Sequence, residues 1–297
     1  MTGFVYTVNL PVSKQTVQLT ELSYIDFKSL AKNIANENNI IIFNTFNFLI
    51  QKHCLEDISK LSAIDKLYIL LTIRAVCISP VLELVITCPK TKEQFNSTVS
   101  IDNILAVLRS ECPDKQTISY QNKLQITYGL PTSLYVNRET LEAPETVINC
   151  ISLNDYSFYD ITVEMVNKLP AVVLNDVYTY VNKIYSYLNN LELIKIPSPF
   201  SADENDTMIM TANVFNNSVL EFLKLCFNRD LMSFYKLEYF LMKQFRMTYE
   251  TMSNMTPIEL NVYLNLYNEE QAEQEKAERK ANNQQNTPMI GNNQTVA

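Results

Sequence analysis

Leu61-Ser62-Ala63-Ile64-Asp65-Lys66-Leu67-Tyr68-Ile69-Leu70-Leu71-Thr72-Ile73-Arg74-Ala75-Val76-Cys77 reads as a capped helix. Ser62 takes the N-cap and Asp65 the third helical position, and Leu67, Leu70, Leu71, Arg74 and Ala75 follow. Beyond it the pattern changes. Leu82 to Thr87 is an apolar strand, Cys88-Pro89-Lys90-Thr91-Lys92-Glu93 a turn, and Gln94 to Val99 the returning strand of a hairpin. A helix that feeds a hairpin sets the class as α+β.

Towards the N-terminus, Phe4 to Leu10 and Thr16 to Leu19 are β-rich and flank Pro11-Val12-Ser13-Lys14, which predicts an opening hairpin. Ser23 with Asp26 marks a capped helix carrying Tyr24, Phe27, Leu30 and Ile34, and after an interruption at Asn36 to Asn39 a second helix runs from Ile40 towards Cys54. Towards the C-terminus, Asp102 to Leu108 reads as a short helix. Gln116 to Tyr128, Leu134 to Val136, Val147 to Ile151 and Tyr159 to Val163 read as extended. After Pro170, residues Leu174, Val177, Tyr178, Val181, Ile184, Tyr185 and Leu188 form one apolar helical stripe. Pro197 to Asp206 is a loop, and Val214 to Phe227 and Leu231 to Phe245 are helices.

Thr256-Pro257-Ile258-Glu259 is a complete capping box with Pro at the first helical position. The helix it opens loses its apolar face in the charged run Glu269 to Lys280, so it projects from the body or meets a partner through charge. Asn282 to Ala297 has the composition of a disordered tail. The expected architecture is α+β, mainly helical, with an N-terminal hairpin and a strand-bearing middle region. Its divisions fall at 1–110, a strand-rich insertion at 111–170, a helical region at 171–268, and a charged extension with tail at 269–297.

Composition excludes more than it assigns. The chain of 297 residues has a net charge of −8, which disfavours a sequence-independent nucleic-acid partner. Three glycines leave no phosphate-cradling loop, and a single histidine, His53, leaves no zincin motif and no paired-His chemistry. Met1 to Val12 lacks the basic start of a secretory signal, and the longest apolar run, Ala75 to Cys88, is broken by Pro80 and Glu83. A cytoplasmic protein with no membrane span and reduced, mostly buried thiols is expected.

Cys54 or Cys77 with His53 makes a conceivable nucleophile and base, and His53, Cys54, Cys77 and Cys88 a conceivable zinc set, but His53 and Cys54 are adjacent and no Cys pair has C-x-x-C spacing. Glu56 with Asp57, or Asp203, Glu204 and Asp206, make conceivable acid/base or cation groups, but Asp203 to Asp206 lacks the alternating ligand spacing and the Gly of a calcium loop. No catalytic residue, cofactor or metal is therefore expected. The 17 Tyr and 14 Phe leave a single-strand nucleic-acid-binding accessory protein as the alternative.

The segment Leu231 to Met242 is apolar over most of its circumference. Such a helix is either buried on all sides or shows an aromatic and Met face to another chain, through Phe234, Tyr235, Tyr239, Phe240 and Met242.

The stretch Asp57 to Cys77 resembles the central signature of the baseplate hub family of T-even-type contractile-tailed phages: a leucine, a spaced aspartate and an Ile-Arg helix end leading into a hairpin with Cys, here Cys88. Asn9-Leu10-Pro11 is similar to the family's N-terminus, and Met255 to Glu259 to a helix start of tail-assembly proteins. The resemblance implies a non-enzymatic protein: a baseplate hub subunit, or an assembly factor for the hub and the tape measure protein. Its partners would be other tail and baseplate hub proteins, and a homo-oligomer is open. It would act in the host cytoplasm during assembly or in the virion's tail baseplate.

Overall fold

The computed structural model describes residues 4–88, 90–110, 113, 115–120, 124–136, 147–148, 150–153, 161–200 and 207–285. Of these, 55% are helical and 20% lie in strands, which makes the fold α+β and mainly helical, as expected.

The opening hairpin pairs β1 (Val5–Asn9) with β2 (Thr16–Thr20), Val8 opposite Val17, and buries Val8, Leu10, Val17 and Leu19. Helices α1 (Tyr24–Ile34) and α2 (Asn39–His53) follow. The Ser23 hydroxyl accepts from Asp26 N and donates to its carboxylate, while Asn38 caps α2 by accepting from Ile40 N and Ile41 N. The polar interruption at Asn36 to Asn39 is thus a helix start.

Helix α3 (Ala63–Cys77) runs through the core and is buried on nearly every side, including Asp65, Lys66 and Arg74. Buried charges are tolerated only when hydrogen-bonded, and each of these ties down a different segment. The Asp65 carboxylate accepts from Val12 N (2.8 Å) and Ser13 N (3.0 Å) at the hairpin tip. Lys66 Nζ donates to the Thr132 carbonyl at 2.7 Å, and burial pulls its ammonium down to about 8. Arg74 donates to the carbonyls of Ser79, Val81 and Cys226, bracing the entry to the next hairpin.

That hairpin pairs β3 (Val81–Thr87) with β4 (Gln94–Ser100), and α4 (Ile101–Arg109) returns beside α3. The middle region holds a three-stranded antiparallel sheet of β5 (Gln116–Tyr120), β6 (Leu124–Tyr128) and β7 (Ile151–Leu153).

Two extended readings fail here. Leu134 to Val136 forms no strand, and Val163 opens the short helix α5 (Val163–Asn167), because Thr162 Oγ1 accepts from Met165 N. Among the described residues of Val147 to Ile151, the strand begins at Ile151, and Asn149 and Tyr159 lie outside the described residues.

Helix α6 (Ala171–Asn190) buries Val173, Val177, Tyr180, Val181, Ile184 and Leu188, close to the expected stripe. A hairpin of β8 (Glu192–Pro197) and β9 (Thr207–Thr211) flanks the region read as a loop. Strand β8 was not foreseen, since Leu193, Ile194 and Ile196 show no clean alternation. A 3-10 turn (Val214–Asn216) then leads to α7 (Ser218–Phe227), α8 (Leu231–Phe245), α9 (Tyr249–Asn254) and α10 (Pro257–Gln285). One apolar cluster runs from Val8 to Leu260, so the C-terminal helices share the core built around α3.

Candidate contact face on the C-terminal helices

Helix α8 starts at Asp230, whose carboxylate accepts from Met232 N and Ser233 N, and stops where Arg246 turns into the left-handed region at φ 53°. Its inner side buries Phe234, Leu237, Glu238 and Leu241. The Phe234 ring lies 5.6 Å from Tyr24 and 5.3 Å from Phe27, and its carbonyl accepts from the Tyr24 hydroxyl at 3.0 Å. Glu238 accepts from Lys28 Nζ at 2.6 Å, and the same ammonium sits 4.2 Å from the Tyr235 ring centre. These contacts set which side of the helix faces α1.

The opposite side is open. Met232, Tyr235, Tyr239 and Met242, spaced three and four apart, are 49 to 65% exposed, and Lys236 and Lys243 stand among them. Of the five residues expected to form a contact face, the structure puts Tyr235, Tyr239 and Met242 on the outside together. Phe234 lies in the core. Phe240 sits at the edge, with its ring 4.9 Å from Tyr267 of α10.

Helix α10 begins with the expected box: Thr256 N donates to Glu259 Oε2 at 2.7 Å, and Glu259 N to Thr256 Oγ1 at 3.3 Å. Leu260 is buried, Tyr263 and Leu264 pack against the core and Tyr267 against the Phe240 and Phe245 rings, whereas Ile258, Val262 and Leu266 are 40 to 56% exposed. The sequence places Val262, Leu266 and Tyr267 along this helix, but their spacing does not tell that Val262 and Leu266 face outward. The residues from 268 to 279 are exposed throughout apart from Gln271, so the helix leaves the body there as its composition predicts.

The catalytic candidates are placed differently. His53 is buried, with Nδ1 3.1 Å from Thr20 Oγ1; Nε2 lies 3.4 Å from Asp26 Oδ2, near enough for attraction but not aligned as a hydrogen bond. Its two ring nitrogens thus face a hydroxyl and a carboxylate, not a thiol. Burial raises the Cys54 thiol and pushes Cys77 up to about 11, which keeps both protonated, the opposite of a reactive thiolate. Glu56 accepts from Gln18 N and so ties the end of α2 to strand β2, while Asp57 accepts from Ser59 N and Oγ and organises a turn.

Asp203, Glu204 and Asp206 lie outside the described residues. Among the described residues, no three His, Cys, Asp or Glu side chains gather as a metal site, and no helix is long and apolar enough to cross a membrane. A groove of about 360 Å³ beside β3 is lined mainly by apolar side chains, including Leu84, Ile86, Phe95, Ile196 and Met208.

The family model described as T4 bacteriophage base plate protein matches residues 1–196, a span that holds the opening hairpin, the Asp57 to Cys77 stretch and the β3–β4 hairpin. No curated protein and no solved structure matches the chain. With two thirds of its length matched, the chain belongs to the T4 bacteriophage base plate protein family, and it is a structural protein of the phage tail.

Proposed function

We propose that the chain acts without catalysis, as a baseplate hub subunit or as an assembly factor for the hub and the tape measure protein, through protein-protein contacts made by the outer face of α8. The observation that supports this reading is the row Met232, Tyr235, Tyr239 and Met242, held outward by the Phe234 and Glu238 anchors beneath it. Aromatic and Met side chains are enriched in contact patches because they supply large area at low conformational cost, and a soluble chain keeps such a row open only against a reason.

Mass spectrometry of purified virions and of tail-assembly intermediates tests the reading. The protein is expected in one or both, and Tyr235→Ser with Tyr239→Ser is expected to remove it while its circular dichroism stays unchanged. Presence in intermediates but not in virions assigns the assembly role, and presence in virions the subunit role. Absence from both, or unchanged incorporation of the double variant, counts against it. So does salt-dependent binding of a labelled single-stranded oligonucleotide, which would favour the nucleic-acid alternative.

A further inference from the structure

We infer that the face on α8 and α10 is a self-association surface, and that its occupant is a second copy of this chain. The inference rests on the contact reading above and names the partner of that same face.

Phe240 packs on Tyr267 and Phe245 on Tyr263, with ring centres 4.9 and 5.7 Å apart, so α8 ascends where α10 descends and the two helices are antiparallel. In an antiparallel pair, the residue one place before each contact residue turns to the same side of both helices. Tyr239 precedes Phe240 and Leu266 precedes Tyr267. The exposed row Met232, Tyr235, Tyr239, Met242 and the exposed row Ile258, Val262, Leu266 are therefore two halves of one apolar face.

The halves carry opposite charge. The exposed ionic residues of α8 are Lys236 and Lys243, since Glu238 is buried against Lys28. From Ile258 to Glu275, α10 has no Lys or Arg, and it exposes Glu269, Glu270 and Glu273.

A face whose two halves differ in sign matches itself under a two-fold rotation, which is the commonest closed symmetry of soluble oligomers. With the axis along the helices, α8 of each copy lies over α10 of the other at the same height. Lys236 is four residues before Phe240 and Gln271 four residues after Tyr267, so Lys236 comes level with Gln271 and faces Glu270 and Glu273 across the interface. Tyr239 and Met242 meet Leu266 in the same way. An unrelated partner would need its own apolar face with both signs in the matching order, whereas a second copy already has it.

Sedimentation of the purified full-length chain over a concentration series tests this. A particle of twice 34.2 kDa is expected, weakening as salt is raised. Lys236→Glu with Lys243→Glu, and separately Glu270→Lys with Glu273→Lys, are expected to weaken the dimer by about tenfold or more, and the four changes together to restore it. Tyr239→Asp with Leu266→Asp, at exposed positions that leave the fold intact, is expected to give monomer.

A wild-type monomer at the highest soluble concentration overturns the inference, as does a dimer indifferent to Tyr239→Asp and Leu266→Asp. If the wild type is monomeric but Tyr239→Asp still removes the protein from tail intermediates, self-association fails and the contact reading stands. If the dimer behaves as expected but the face variants enter tails at wild-type levels, self-association stands and the contact reading fails.

Discussion

Arg74, in the last turn of α3, donates through Nε to the carbonyl oxygen of Cys226 at 2.7 Å, 152 residues further along the chain. The bond joins the family-matched part of the molecule to α7, beyond the match. It also satisfies a carbonyl at the end of a helix, where no intrahelical donor remains.

Replacing Arg74 with Ala strips the carbonyls of Cys226, Ser79 and Val81 of this donor. Hydrogen bonds to a charged group contribute about 1.5–3 kcal/mol, and a loss of at least that size is expected in urea unfolding. Arg74→Lys is expected to rescue little, because one ammonium cannot reproduce the guanidinium's planar fork. A variant with the wild-type midpoint would show that the bond carries no stability.

Asp65 ties the β1–β2 tip to α3 through two backbone N–H groups and has no exposed surface. Asp65→Ala is expected to cost about 1–3 kcal/mol through those orphaned donors and to speed amide exchange at Val12 and Ser13. Unchanged protection at both amides would refute the link.

Leu70 and Leu71 are both fully buried in α3. Either Leu→Ala change is expected to lower stability by about 2–5 kcal/mol, the range for a cavity in a close-packed core. The urea midpoint reads this directly.

Asp26 supplies a pH dependence. Burial pushes its carboxyl up, but His53, Lys52 and the Ser23 hydroxyl outweigh that and hold it well below the ordinary 3.8. The folded state therefore binds the proton less readily than the unfolded state. The stabilisation is complete above 3.8 and is lost as pH falls below it. In Asp26→Asn this contribution is gone, so the stability gap between wild type and variant should narrow from about pH 5 to about pH 2. A gap that stays constant over that interval would refute the assignment.

Thr256 closes the α10 box with Glu259. Thr256→Ala is expected to cost about 1 kcal/mol and to loosen α10 first, read by amide exchange at Glu259 and Leu260. Uniform destabilisation with no local change would place the effect elsewhere.

The caps at Ser23, Ser62 and Thr256, the two N-terminal hairpins and the inward side of α6 were legible because each depends on residues within a few positions of one another. Strand β8 and the helix at Val163 were not, since short segments take their state from what they pack against. The exposed row of α8 was half legible. Composition marked Leu231 to Met242 as unusual, but an aromatic helix has no periodicity that tells an inner side from an outer one.

The capped helices, the two N-terminal hairpins, the single histidine and the family signature could be taken from the linear chain, because local hydrogen bonding, residue chemistry and spacing are written in neighbouring letters. Which of Phe234 and Tyr239 faces the core, and which carbonyls accept from Lys66 and Arg74, depends on partners tens to hundreds of residues away. Those choices come from packing α1, α3 and α8 into one shared interior, and side-chain volume and buried charge admit a particular rotation of each helix only once the others are in place.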